Sequence, residues 1–246
     1  MKLLIDFGNS RFKWARLDGQ TLIDANACFY NSDDAIHRVQ EACEQIGFDS
    51  IQEIHAVSVL GEAFEKEFIA STEKTTGITA SFYYSQSANY GVTLAYDHPS
   101  SYGADRYAAL IAAHHKTSGT KIIVDCGTAT TIDVLDAKGK HLGGLIIPGI
   151  TLMCTSLANK ASGVRMPEKA GAARLFNDNT ADSVFSGSAL VLSHGVRGIV
   201  QEIMSTTEQV VTVYVTGGES DMISLEDIDY VNCPNLVLEG IQIMQG

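Results

Sequence analysis

The chain has no Cys-x-x-Cys pair, no long apolar run, only four prolines and a marked shortage of basic residues. Its five cysteines (Cys28, Cys43, Cys126, Cys154 and Cys233) are odd in number and widely spaced. That pattern excludes a disulfide framework or a zinc knuckle and predicts reduced, mostly buried thiols. The apolar run at the start spans only Leu3 to Ile5 before Asp6, too short for the apolar region of a signal peptide. The longest weakly polar run, Gly144 to Cys154, contains Pro148 and falls well short of the roughly 20 residues that cross a bilayer. The expectation is a cytoplasmic protein without a membrane partner. Seventeen Lys and Arg stand against 29 Asp and Glu, a net charge of -12, which disfavours nucleic acid as a partner. Three motifs are also missing: G-x-x-x-x-G-K-[ST], a G-x-G-x-x-G after a strand, and H-E-x-x-H. A P-loop, a Rossmann dinucleotide site and a zincin site are thereby unsupported. His114 and His115 are neighbours on one helical stretch and point in different directions, so they predict no shared metal.

What is present is a core and an echo. Apolar residues make up 45% of the 246, enough for one large or two small folded domains. The first half begins LLIDFGNSRFKWARLD, Leu3 to Asp18, and the second IIVDCGTATTIDVLD, Ile122 to Asp136. Asp6 matches Asp125 and Gly8 matches Gly127 at one common offset close to half the chain. Each stretch reads as a β-hairpin with small and polar residues at its tip. Duplication of one unit predicts two related domains, 1–117 and 118–246. Helices are predicted at Asp33–Gly47, Ala63–Lys74, Asp105–Lys116 and Ala181–Met204, and strands at Ile54–Leu60 and Val210–Thr216. The mixture predicts an α/β fold with two similar lobes.

Five short segments can carry chemistry. In Asp6-Phe7-Gly8-Asn9-Ser10-Arg11-Phe12-Lys13, glycine lets a phosphate approach the backbone N–H groups. Asn9 and Ser10 add donors, Lys13 adds positive charge, and Asp6 can hold Mg²⁺. An ordinary hairpin using Asp and Gly for its turn explains the same residues. The second turn, Asp125 to Asp133, adds hydroxyls at Thr128, Thr130 and Thr131, although threonine also simply favours strands. Two such turns facing each other would clamp ATP. Thr216-Gly217-Gly218 ends an apolar strand and could admit a nucleoside, or be a plain turn. Gly103-Ala104-Asp105-Arg106 opens a helix whose positive end favours a carboxylate. Asp105 could then act as a general base, and Arg106 could pair with an acidic group, or both could be ordinary helix-start residues. Gly143 to Gly149 reads as a strand running into a Pro-Gly turn, either architecture or a pocket lining.

Taken in order, D-x-G-N-[ST]-x-x-K, G-x-D-R, D-x-G-T-A-x-x-x-D, G-G-x-I-x-P-G and T-G-G resemble the type III pantothenate kinase family over nearly the whole chain. Ser10 stands where that family often has Thr, which keeps the hydroxyl. The resemblance implies a duplicated actin-like ATPase fold of the sugar-kinase, ribonuclease H-like kind. It implies transfer of the ATP γ-phosphoryl group to pantothenate, the first step toward coenzyme A, with Mg²⁺ and a monovalent cation (K⁺ or NH4⁺). It assigns Asp105 as general base. Tyr96, Gly103, Ala104, Arg106 and Thr180 become pantothenate contacts, Asp6 to Lys13 and Thr128 ATP contacts, and Asp125 the monovalent-cation ligand. It also implies a homodimer, with Thr180 near the interface.

Two other readings remain open. One is a kinase of the same fold acting on a sugar or another short acid. The other is a nucleotide-binding regulatory protein without turnover, against which Asp105 speaks. A substrate screen and an ADP-release assay separate them.

Overall fold

The computed structural model describes residues 1–30, 39, 41, 50–161 and 171–246. The helix expected over Asp33–Gly47 falls almost wholly outside the described residues, as does Cys43. The chain divides into two compact units. Unit 1 comprises Met1–Ser118, Lys138–His141 and Asn235–Gly246; unit 2 comprises Gly119–Ala137 and Leu142–Pro234.

Unit 1 is built on β1 (Lys2–Phe7), β2 (Arg11–Asp18), β3 (Thr21–Phe29), β4 (Glu53–Ser58) and β5 (Ser81–Phe82), in the order β3-β2-β1-β4-β5. β1 pairs antiparallel with β2 and parallel with β4. Alternation along β1 sends Leu3, Ile5 and Phe7 into a core with Phe12, Trp14, Ile54, Ala56 and Phe68. The side chains of Lys2, Leu4 and Asp6 take the opposite face. Phe68 belongs to α1 (Glu62–Thr76), which stops where Gly77 turns left-handed at φ 74. A short hairpin of β6 (Ala88–Asn89) and β7 (Val92–Thr93) precedes α2 (Ala104–Lys116). Every residue from Arg106 to Ala113 on α2 is buried, as its run of alanines and large apolar side chains requires. The last helix of the chain, named α5 below in chain order, covers Leu236–Met244 and packs on α2. A Cβ on Gly240 would stand 2.0 Å from the Ala108 carbonyl oxygen, so this helix pair meets backbone to backbone.

Unit 2 repeats the plan. β8 (Thr120–Cys126), β9 (Ala129–Leu135), β10 (His141–Pro148), β11 (Val211–Thr216) and β12 (Tyr230–Asn232) lie in the order β10-β9-β8-β11-β12. β8 pairs antiparallel with β9 and parallel with β11, as β1 does with β2 and β4. One difference is local. Four residues separate the last cross-strand pair of the first hairpin, Phe7 and Phe12, whereas three separate Cys126 and Thr130. Among the described residues, α3 (Ile150–Lys160) and α4 (Thr180–Ser205) pack on the sheet. Phe185, Ala189, Leu192, Val196 and Val200 recur at helical spacing along α4 and fill the core with Ile122, Val124 and Val215. Asn179 caps α4 by accepting the Asp182 N–H at 2.9 Å. Cys126, Cys154 and Cys233 are buried and Cys28 is half-buried. No helix among the described residues is long and apolar enough to cross a membrane.

On the other face of the first sheet, Glu53 accepts from Lys2 Nζ at 3.1 Å and from His55 Nε2 at 2.9 Å. Carboxylate oxygen only accepts, so Nε2 carries the ring proton and Nδ1 accepts from the Tyr83 hydroxyl at 2.9 Å. Burial pulls the His55 pKa below its ordinary value of 6.5, and Glu53 only partly offsets this. A depressed folded pKa means that the unfolded chain takes up the proton first. This contribution to stability is therefore complete above about pH 6.5 and is lost as pH falls toward the folded value. Thermal melts of the parent and of His55→Gln across pH 5 to 8 should show a fall on the order of 2 °C in the parent that the variant lacks.

Candidate active site

Within unit 1, the pairing of β1 with β2 sets Asp6 directly opposite Lys13, so both side chains leave the same sheet face. Asp6 is buried, while Asn9 and Ser10 at the hairpin tip are exposed. Gly8 N–H donates to the Arg11 carbonyl at 3.1 Å and closes the turn. A residue that no motif marked braces it. The Tyr30 N–H donates to Ser10 O at 3.1 Å, and its phenol donates to Gly8 O. Burial, and then the Asp6 charge, push the Tyr30 pKa well above its ordinary value. The phenol therefore stays a donor. The Phe12 ring stacks on Tyr30 from the core side, 5.8 Å between centroids.

The second cluster of unit 1 gathers at the start of α2. Asp105 Oδ1 accepts the Arg106 N–H at 2.7 Å. A Cβ on Gly103 would lie 2.5 Å from that oxygen, so a side chain there would displace the carboxylate. The Ser85 hydroxyl donates to the Tyr102 carbonyl at 2.9 Å and holds the segment leading in. The Arg106 guanidinium, buried, lies over the Tyr102 ring at 4.4 Å. Tyr102 meets Tyr96 edge-on at 4.9 Å and His141 at 5.1 Å. Tyr96 and Arg106 thus meet on the Tyr102 ring, with Gly103, Ala104 and Asp105 lying between Tyr102 and Arg106 in the chain. The half-buried Asp105 carboxylate and the buried cation next to it can take up a proton and hold an anion on neighbouring atoms. Tyr102 and His141 carry no motif signal; the cationic and aromatic packing that makes them matter exists only in the fold.

In unit 2, Asp125 lies on one sheet face with its cross-strand neighbours Thr131 and Thr216. Thr216 is fully buried, and its hydroxyl oxygen has no hydrogen-bond partner among the described residues. Beyond Asp125, Gly127 N–H donates to Ala129 O at 3.1 Å, and Gly149 N–H donates to Thr128 O at 2.9 Å. A Cβ on Gly217 (φ +95) would stand 2.3 Å from Cys126 O. The D-x-G-T, P-G and T-G-G segments therefore converge on one spot. Thr180 lies elsewhere in unit 2, on the first turn of α4. It lines a hollow of about 730 Å³ with Met153, Leu157, Asn179 and Val191.

A divalent cation accompanying nucleotide phosphates needs one or two carboxylates, not a protein cage. Asp6 fits that demand, and among the described residues no group of three or more His, Cys, Asp or Glu could hold an ion by itself. A monovalent cation takes neutral and anionic oxygens, and the Asp125 carboxylate beside the unsatisfied Thr216 hydroxyl is such a set.

Known proteins resemble this chain in sequence and in fold. A family model described as type III pantothenate kinase matches residues 2–202. A type III pantothenate kinase of Nitrosococcus oceani is 32% identical over 98% of this chain and 92% of its own. Among solved structures, a Sinorhizobium meliloti protein described as a candidate 2-dehydro-3-deoxygalactonokinase superposes with a TM-score of 0.61 at 13% identity, covering 98% of this chain and 94% of that one. The ethanolamine utilization protein EutJ of Carboxydothermus hydrogenoformans gives 0.58 at 16% identity, covering 98% and 89%. The fold is that of the actin-like and sugar-kinase ATPases.

Proposed function

The chain belongs to the type III pantothenate kinase family, and from that membership we infer that it transfers the γ-phosphoryl group of ATP to pantothenate and yields 4'-phosphopantothenate. The observation that carries this reading is the family match across most of the chain. The residue roles rest on the local geometry. Asp105 takes the proton of the pantothenate hydroxyl as that oxygen bonds to the γ-phosphorus, and the bond to the ADP oxygen breaks. Arg106, flattened on Tyr102, receives the pantothenate carboxylate, with Tyr96, Gly103 and Ala104 beside it. Asp6 to Lys13 and Thr128 receive the ATP phosphates. Mg²⁺, when bound near Asp6, supplies charge that offsets the phosphates, and K⁺ or NH4⁺ at Asp125 adds a second positive centre. Positioning and charge complementarity supply the acceleration.

The halves 1–117 and 118–246 descend, on this reading, from one duplicated unit, and the enzyme works in the cytoplasm as a homodimer. In support of the dimer, Leu145 and Ile146 on β10, Leu152 and Leu157 on α3, and Val191 on α4 all expose apolar side chains. Thr180 shares a hollow with Leu157 and Val191.

The test is ADP release with and without pantothenate, with Na⁺ exchanged for K⁺, alongside light scattering for mass. Release that needs pantothenate and K⁺ from a particle of two chains is expected. Phosphorylation of a sugar in place of pantothenate overturns the substrate. Arg106→Ala should raise the pantothenate KM roughly 10- to 100-fold, the worth of a charged hydrogen bond, and leave the ATP KM nearly unchanged. An equal rise in both removes the carboxylate role.

A further inference from the structure

The converging turns of unit 2 are held by a side chain outside every motif: Glu219. Its N–H donates to the Cys126 carbonyl at 2.7 Å, at the end of β8. Its carboxylate accepts from Ile150 N–H at 2.8 Å and from Thr151 N–H at 3.3 Å. Those are the first two N–H groups of α3, which have no partner inside the helix and carry its positive end. The N-cap residue, Gly149, has no side chain to satisfy them. Gly149 in turn donates to Thr128 O. The contacts close a ring from Cys126 through Thr128, Gly149 and Ile150 to Glu219 and back to Cys126.

We propose that Glu219 is a positioning residue for ATP, which fixes the Gly127–Thr128 turn by tying α3 to β8 and keeps other anions off the end of α3. The proposal rests on the reading that Thr128 contacts ATP. Two consequences follow from the charge. Without the carboxylate, Gly149 and Thr128 lose their anchor and the turn no longer holds one register for a phosphate. The vacated N–H groups would then accept any small anion that reaches them.

Binding of a non-hydrolysable ATP analogue, by calorimetry on the full-length protein, reads this directly in Glu219→Ala and Glu219→Gln. Glu219→Ala should weaken the analogue roughly tenfold, the order expected when a charged hydrogen-bond acceptor is lost. Its pantothenate KM should stay within about twofold of the parent. Glu219→Gln keeps one acceptor oxygen and should fall between the two; it carries the test if the alanine variant does not fold. Formate should restore part of the affinity of Glu219→Ala, because it can refill the vacated position, and should leave the parent unaffected. A helix cap that serves stability alone would move the melting temperature but would not make nucleotide affinity respond to formate. An unchanged analogue affinity, an equal rise in both KM values, or no response to formate overturns the proposal. A parent that binds the analogue but does not phosphorylate pantothenate refutes the functional reading and leaves the Glu219 comparison intact.

Discussion

Asp105→Asn is expected to fold like the parent and to lose about three orders of magnitude in kcat, within the range for removal of a general base. The amide has nearly the shape of the carboxylate. Its oxygen can still accept the Arg106 N–H that Asp105 accepts at 2.7 Å, and it still fits the tight space over Gly103. Packing of Arg106 on Tyr102, and of Tyr102 on Tyr96 and His141, does not involve the altered atom. Ground-state binding of both substrates should therefore persist, with KM values close to those of the parent. Only the capacity to take the hydroxyl proton is gone. Single-turnover ADP formation, with a thermal melt as the folding control, checks it. Turnover near the parent level in a folded Asp105→Asn would assign the proton to another acceptor and leave Asp105 a structural role at the helix start.

Much of the frame is legible in the sequence because it is local. The apolar runs in KLLIDF and KIIVDC, each leading into Asp-x-Gly and followed by a second β-like run, are enough to anticipate two hairpins. The two sheets share one strand order, so the echo reflected topology as well as turn chemistry. The spacing along α4 is equally plain. What escapes the sequence is long-range. Lys138–His141 and Asn235–Gly246 belong to unit 1 although both follow the start of unit 2, and no periodicity encodes that return. α5 has nine residues and lacks a side-chain cap, and its apolar start, Leu-Val-Leu, reads as well for a strand. Among the functional candidates, Asp105 and Arg106 were visible as a motif. Tyr30, His141 and Glu219 were not, because each acts through a partner far away in the chain: Tyr30 on Gly8, His141 on Tyr96, Glu219 on Ile150; Tyr102 was not, because its ring matters only once Arg106 and His141 pack on it.

The second large effect belongs to Gly149→Ala. Gly149 has φ -70 and ψ 168, ordinary extended backbone that any residue adopts, so no conformational strain excludes a side chain there. Space does. A Cβ would stand 2.2 Å from Gly127 O, 2.8 Å from Thr128 O and 2.9 Å from Glu219 Oε2. Two of these atoms are backbone, in a turn closed by hydrogen bonds, and cannot swing aside as a flexible side chain would. The start of α3 must therefore withdraw from the Gly127–Thr128 turn, at a cost of about 1–3 kcal/mol for overpacking. If that turn binds ATP, the cost appears mainly as lost nucleotide affinity, roughly 10- to 100-fold, since 1.4 kcal/mol is a factor of ten. Gly195→Ala is the matched control. Gly195 lies within α4, and its added Cβ would meet nothing within 4 Å, so the same change there should leave affinity alone and stabilise the helix by roughly 0.5–1 kcal/mol. Analogue calorimetry and melts on both variants make the comparison. Parent-like ATP affinity in a folded Gly149→Ala would move the nucleotide away from the Thr128 turn. Loss of affinity with the pantothenate KM preserved would tie the Pro-Gly turn, through one added methyl group, to the nucleotide half of the reaction.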